Sequence, residues 1–206
     1  MLSHTPPKFC SRCGALTKLC VPPGDNRERA VCGECDFIFY SNPRPVAAAI
    51  VTNEQGQMLL CRRAIEPRVG YWTAPGGYQE VGESSTDAAA RETMEEAGAE
   101  IRIDGLHAVL DLPFLGQSYA IYRATLLSGY SAGVESQEVQ LFDMDQLPWE
   151  ELAFPVLGRA LRWYADETRT GQRNVHVAAI NWDGSGDRWD PERYTVEGHQ
   201  VIPIGS

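Results

Sequence analysis

No apolar run in this 206-residue sequence approaches the ~20 residues that a membrane-crossing helix needs, so no membrane partner is expected. Positive charge is also in short supply. Lys plus Arg is 18 and Asp plus Glu is 28, giving 18 − 28 = −10. Proteins that grip a nucleic-acid backbone carry the opposite imbalance, so a nucleic-acid partner is not expected either. Residues 1–10 lack the basic-then-apolar order of a secretory signal, which makes a cytoplasmic location the expectation. There are no internal repeats and no low-complexity blocks. Histidine is scarce, and none of the four has a ligand-like neighbour in the sequence, so they are assigned no role.

The remaining composition is ordinary, with 43% hydrophobic and 22% charged residues, as in a globular chain of one domain plus something small. Residues 1–42 are rich in Cys, Gly and Pro and end in the turn-and-extension signal Ser41-Asn42-Pro43-Arg44-Pro45. Val46–Val51 reads as a buried strand, and Met58–Arg62 as its partner across the loop at Asn53–Gly56. A helix through Ala88–Ala97 is capped by Ser84 with Asp87 and stopped by Gly98. Strands are predicted at Glu100–Ile103, Ala108–Leu112, Tyr119–Leu127 and Val139–Asp143, and a closing helix at Leu157–Glu167. Residues 168–206 give a weak strand signal at Val175–Ile180 and are expected to form an appendage or partly mobile tail. Strands and helices do not alternate regularly, which favours α+β over a doubly wound parallel sheet.

Four of the six cysteines form Cys10-x-x-Cys13 and Cys32-x-x-Cys35. Two such turns supply the four thiolates of a tetrahedral Zn²⁺ site, and Gly14 and Gly33 allow the tight turns. With all ligands from protein, the zinc is expected to be structural. Cys20 and Cys61 read as ordinary small residues.

The sharpest feature is Gly77-x5-Glu83-x7-Arg91-Glu92-Thr93-Met94-Glu95-Glu96-Ala97-Gly98. At ~100° per residue, Glu92, Glu95 and Glu96 share one helix face. Ala90, Met94 and Ala97 fall on the opposite face, where burial is expected. Clustered carboxylates repel, and a solvated acidic face is the ordinary reading of such a pattern. Here Gly76 and Gly77 bring backbone close to the helix, and Arg91 can pair with Glu83 or Glu95. Hard oxygen ligands on one face suit Mg²⁺ or Mn²⁺, which would also let an acidic protein hold an anionic substrate. Elsewhere, Arg62 and Arg63 at a strand end are candidates to hold a phosphate. Of Tyr71, Trp72, Phe114 and Tyr119, the last is the best candidate to stack on a base.

This block resembles the Nudix box, matched at Gly77, Glu83, Arg91, Glu92, Glu95, Glu96 and Gly98, with weak apolar positions at Thr93 and Ala99. The resemblance to Nudix hydrolases implies an α/β/α sandwich around a mixed sheet, preceded by the ribbon. The expected division is ribbon 1–42, Nudix domain 43–167 and extension 168–206. It implies metal-dependent hydrolysis of a nucleoside diphosphate derivative, with Glu92 and Glu96 as ligands, Glu95 assisting and the Gly76 carbonyl adding another. Phe9-Cys-x-x-Cys13-Gly14, Tyr40-x-Asn42-Pro43, Gly70-x-Trp72-Thr73, Gly116-Gln117-x-Tyr119, Glu135-Ser136-x-Glu138 and Leu152-Ala153-Phe154 are similar to zinc-ribbon Nudix proteins of the FAD and ADP-ribose pyrophosphatase type. By that resemblance Glu138 is a further metal ligand or the base that activates water, Glu135 is second choice, and a homodimer is expected. NADH pyrophosphatases carry Ser-Gln-Pro-Trp-Pro-Phe after the box, where this chain has Leu112-Pro-Phe-Leu-Gly-Gln-Ser118. The expected substrate is therefore FAD or ADP-ribose. The alternatives are an NADH or NAD-cap pyrophosphatase, and a nucleotide-sensing module that does not cleave.

Overall fold

The computed structural model describes residues 6–204, in two compact units, Met1–Pro43 and Arg44–Ser206. His4 lies outside the described residues. The first unit is a three-stranded antiparallel sheet of β1 (Thr17–Cys20), β2 (Arg29–Cys32) and β3 (Ile38–Phe39). Among the described residues, its buried hydrophobic side chains are Cys10, Ala30, Val31 and Cys32. So little buried surface cannot hold a fold of this size by itself, and a staple is required.

The second unit is built on a nine-stranded mixed sheet. Its strands are β4 (Arg44–Thr52), β5 (Met58–Arg63), β6 (Trp72–Thr73), β7 (Gly76–Tyr78), β8 (Ile101–Leu112), β9 (Gln117–Leu126), β10 (Ser136–Phe142), β11 (Asn174–Trp182) and β12 (Tyr194–Pro203). The order is β10-β5-β4-β9-β8-β11-β12, with β6 paired to β5 and β7 to β4. β4 runs parallel to β9, and β8 parallel to β11.

Side chains alternate across this sheet and feed two cores. From β4 and β5, Ala48, Ile50, Met58 and Leu60 enter a core under the helix α2 (Pro155–Thr170), which contributes Leu157 and Leu161. Ala47, Ala49, Val51, Leu59 and Cys61 enter the other, under the helix α1 (Ser85–Ala97). β4 is buried on both faces, which is why its sequence is a continuous apolar run. The α1 core is dominated by alanine, including Ala88, Ala89, Ala97, Ala99 and Ala124. Such small side chains let this helix approach the sheet closely. The layers are those of the expected α/β/α sandwich.

Two expectations need correcting. The two predicted strands after α1 are one, β8, interrupted by register shifts at Ile103/Gly105 and Leu106/Ala108. Asp104-Gly105 marks a bulge, with Gly105 at φ 145°, where only glycine is unstrained. The stretch 168–206 is no appendage, because β11 pairs with β8 inside the sheet and buries His176, Ala178 and Ile180. β12 then covers β11 as an exposed edge strand that gave no clear signal in the sequence.

Candidate active site

Helix α1 starts with the reciprocal bonds of a capping box. The Asp87 amide donates to Ser84 Oγ at 3.1 Å, and the Ser84 amide to Asp87 Oδ2 at 3.1 Å. It ends at Gly98, φ 56°, whose amide donates to the Met94 carbonyl at 2.9 Å. Its inner face is Ala88, Ala89, Thr93, Glu96 and Ala97. This reverses part of the helical-wheel expectation, because Met94 is 44% exposed and Glu96 only 5%. The sheet receives the alanine stripe, and that stripe carries Glu92 and Glu96 inward with it. A solvated acidic face is thereby ruled out for these two. Glu95 does face solvent, with 59% of its side chain exposed.

Glu96 Oε2 accepts the Gly76 amide at 3.1 Å. Burial pushes its pKa up to about 7, against the pull of that amide and the charge of Arg63. Burial raises the Glu92 carboxyl too, although Arg91 Nη1 donates to its Oε1 at 2.8 Å. A Cβ at Gly77 would lie 2.4 Å from Glu92 Oε1, and one at Gly76 2.5 Å from Ala48 Cβ. Both glycines are therefore fixed by the close approach of strand, helix and carboxylate. Arg91 Nε and Nη2 donate to Glu83 Oε2 and Oε1 at 3.0 and 2.8 Å, a two-pronged contact that draws the Glu83 pKa down to about 2. Arg91 Nη2 also donates to the Tyr78 carbonyl at 3.1 Å. Arg91 thus braces the carboxylates and the glycine strand as one body.

Two desolvated carboxyls, one of them accepting a backbone amide, are what a hard divalent cation would stabilise. Outside the helix, the charge that raises both Glu92 and Glu96 is Glu135. Glu138, the first choice from sequence, pairs instead with Arg62 Nη1 at 3.6 Å, directly across β10 and β5. Arg62 Nε is further tied to the Gly70 carbonyl at 2.9 Å. Arg63 is buried, donates to the Pro67 carbonyl at 2.8 Å, and packs over Phe154. Tyr119 packs against the α2 core, and its hydroxyl donates to Gln117 Oε1 at 3.3 Å. The structure gathers Gly76, Arg91, Glu92, Glu95 and Glu96, and leaves Arg62, Glu138 and Tyr119 outside that group.

The Gly- and Ser-rich loop before β10 is stitched to the helix end. The Ser131 amide donates to the Ala97 carbonyl at 2.8 Å, and the Gly133 amide to the Glu96 carbonyl at 3.1 Å. These bonds satisfy carbonyls that a helix end otherwise leaves open.

A buried polar cluster on the α2 face was missed. His107, Glu167 and His176 come within 4.8 Å of one another, although they lie on β8, α2 and β11, far apart in sequence. Arg123 Nη2 donates to His107 Nδ1 at 2.8 Å and also bonds Glu167. His176 Nε2 donates to Glu167 Oε1 at 2.7 Å, and Trp163 stacks on both His176 and His199. Burial pushes the His107 pKa down to about 4. Burial opposes the Glu167 charge, but bonds from Asn174, His176 and Arg123 still hold its pKa below the usual range. Arg123 ties His107 and Glu167 together through Nη2, so the cluster reads as a buried core network, although Arg123 Nε is buried without a partner.

In the first unit the cysteines converge. Sγ–Sγ separations are 3.8 Å for Cys10–Cys35, 3.5 Å for Cys13–Cys32 and 3.5 Å for Cys13–Cys35. The edge of a tetrahedral ZnS₄ site with ~2.3 Å bonds is about 3.8 Å, so the four sulfurs fit zinc. Amides of Arg12 and Glu34 donate to Cys10 and Cys32 Sγ, and those of Glu34 and Cys35 hold the Cys32 thiol down to about 7.

The Nudix domain family matches residues 42–166, and the Nudix N-terminal zinc-ribbon family residues 8–41. Human mitochondrial NAD(P)H pyrophosphatase NUDT13 is 31% identical over 97% of this chain and 50% of its own length. NAD-capped RNA hydrolase NudC of Vibrio vulnificus is 34% identical over 46% of this chain and 34% of its own. The chain thus spans half the length or less of these curated relatives. The crystal structure of a Nudix hydrolase from Nitrosomonas europaea superposes with a TM-score of 0.82 at 42% identity, covering 85% of this chain and 99% of that one. An ADP-ribose pyrophosphatase structure from Streptococcus suis, TM-score 0.53 at 23% identity over 66% of this chain and 99% of its own, shares the fold. The chain belongs to the Nudix hydrolase family, in the group that carries an N-terminal Nudix zinc ribbon.

Proposed function

We propose that this protein hydrolyses the diphosphate bond of a dinucleotide of the NAD(P)H type, releasing two mononucleotides. The observation that carries the hydrolytic reading is the inward-facing pair Glu92 and Glu96, desolvated and braced by Arg91. The substrate class rests on the relatives named for NAD(P)H and NAD-capped RNA, which support the alternative substrate over the FAD or ADP-ribose first expected. The net charge of −10 favours the free dinucleotide over a long RNA.

Glu92 and Glu96, with Glu95 and the Gly76 carbonyl, would hold Mg²⁺ or Mn²⁺. When bound, the metal supplies positive charge that stabilises the diphosphate as negative charge builds on it. Glu96 is fixed by the Gly76 amide and Glu92 by Arg91, so the carboxylates need no reorganisation to act. Glu135, whose charge reaches both, is the residue assigned here to orient or deprotonate the attacking water, with Glu138 as the competing assignment. The ribbon holds a structural zinc.

The test is a substrate panel of NADH, NAD⁺, FAD and ADP-ribose with Mg²⁺ or Mn²⁺, read by chromatography. NADH should give NMNH and AMP with the highest kcat/KM. A tenfold preference for FAD or ADP-ribose would overturn the substrate class while leaving the hydrolytic reading standing.

A further inference from the structure

On the α2 face of the sheet, opposite the side on which α1 packs, lies a recess open to solvent. Its walls include Trp149, Phe154, Trp189 and Tyr194, and three arginines line it: Arg68, Arg159 and Arg162. Among the described residues Glu150 is the only acidic one in the lining, so the charge there is 3 − 1 = +2 in a chain of −10. Among the described residues none of the three guanidinium groups has a carboxylate within ion-pair distance. An acidic protein has carboxylates to spare, so three unpaired arginines facing one recess call for an external anion.

Two of the arginines are held by aromatic rings. Arg162 lies 4.5 Å from the Trp149 ring centre. Arg68 lies 3.3 Å from that of Tyr71 and 5.4 Å from that of Trp189. Stacking fixes a guanidinium plane and leaves its N–H edges free. The Arg68 backbone is in the left-handed region at φ 67°, and its Nε is buried without a partner. Such a conformation persists only where its surroundings enforce it, and such residues cluster at functional sites. The outer wall comes from Trp189, Pro191, Tyr194 and Val196, in the C-terminal stretch that joins the sheet as β12.

We infer that this recess is a second nucleotide-binding site, separate from the carboxylate site, taking a nucleoside monophosphate with its base against the tryptophan and tyrosine walls and its phosphate on the arginines. Stacking of a base on aromatic side chains contributes ~1–3 kcal/mol, and phosphate is matched by the guanidinium fork. Phe154 connects the two sites, since it lines the recess and carries Arg63, whose charge acts on Glu96. A nucleoside monophosphate is also the class of product that the proposed reaction releases. To that extent its biological meaning rests on that reading, but its detection does not.

The experiment is calorimetry and tryptophan fluorescence of the full chain titrated with AMP in EDTA, where no divalent metal assists binding at the carboxylates. Saturable one-to-one binding is expected in the wild type and in Glu96→Gln alike. Arg162→Ala and Trp189→Ala should each weaken it tenfold or more with unchanged melting temperature. Arg162→Lys separates lost charge from lost geometry and should recover only part of the affinity. Inorganic phosphate should compete at least tenfold more weakly than AMP. Absence of AMP binding in EDTA, binding lost in Glu96→Gln but kept in Arg162→Ala and Trp189→Ala, or equal competition by phosphate would each overturn the inference.

Discussion

Replacing Glu96 by Gln should abolish turnover and yet spare, or raise, the stability of the metal-free protein. The carboxyl is 5% exposed and its pKa is raised from 4.5 to about 7. For an acid, a folded pKa above the unfolded one means that folding favours the neutral form. The cost is absent below the unfolded value, grows from pH 4.5 to 7, and is complete above 7. At pH 8 it is ~3 kcal/mol, from 1.36 kcal/mol per pKa unit. Gln removes it. Its carbonyl can still accept the Gly76 amide, but its NH₂ has no acceptor assured, which costs ~1–3 kcal/mol. The net change at pH 8 thus lies between about zero and a gain of ~2 kcal/mol. The pH trend is cleaner than the absolute value. Between pH 5 and 8 the mutant should gain ~2–3 kcal/mol on the wild type, roughly 5–10 °C in Tm for a chain of this size. Scanning calorimetry in EDTA at the two pH values reads this directly. Added Mg²⁺ or Mn²⁺ should raise the wild-type Tm and leave the mutant unchanged, and kcat should fall ~10²-fold or more. A Tm difference that does not vary with pH would refute the desolvated carboxyl, and a near-normal rate would refute the site.

Cys32→Ser should lose the tightly held zinc, about one per chain by elemental analysis, and melt earlier, because structural zinc contributes folding free energy. Zinc retained in the mutant, or missing from wild type prepared without chelator, would contradict the Sγ geometry. Glu135→Gln should lower kcat at least tenfold, since its charge reaches Glu92 and Glu96, while Glu138→Gln, whose partner is Arg62, should change KM more than kcat. The reverse order of effects would return the water-activating role to Glu138. Gly133→Ala should lower both Tm and kcat, because the new Cβ would lie 1.7 Å from the Glu95 carbonyl oxygen and must displace the loop from the helix end. Gly129→Ala, with nothing within 4 Å, is the control that should behave as wild type.

What the sequence disclosed was local. The Ser84–Asp87 cap, the Gly98 stop and the cysteine spacing depend on neighbours a few residues away, and all three stand as expected in the structure. Which face of α1 is buried depends on the sheet beneath it. Period alone favoured Met94, whereas the small Ala47 and Ala49 below select the alanine stripe and draw Glu96 inside. The buried network of His107, Arg123, Glu167 and His176 joins four elements, so no spacing rule could reveal it. β11 looked marginal because a strand next to β8 needs only alternate burial, of His176, Ala178 and Ile180, to hold its place. The β10 bulge between Ser136 and Glu138 shifts the register and sets Glu138 opposite Arg62, a pairing across strands that no spacing in the sequence shows.

The central claim is that Glu92 and Glu96 form the centre of a metal-dependent diphosphate hydrolase. Its most direct test is to incubate zinc-loaded protein with NADH and Mg²⁺ or Mn²⁺ in H₂¹⁸O and to identify the products by mass spectrometry. The account predicts NMNH and AMP, one of them carrying a single ¹⁸O on its phosphate, formed by wild type and at least 10²-fold more slowly by Glu96→Gln. Folded, zinc-loaded wild type that cleaves no dinucleotide with either metal, or cleavage that Glu96→Gln leaves at the wild-type rate, would contradict it.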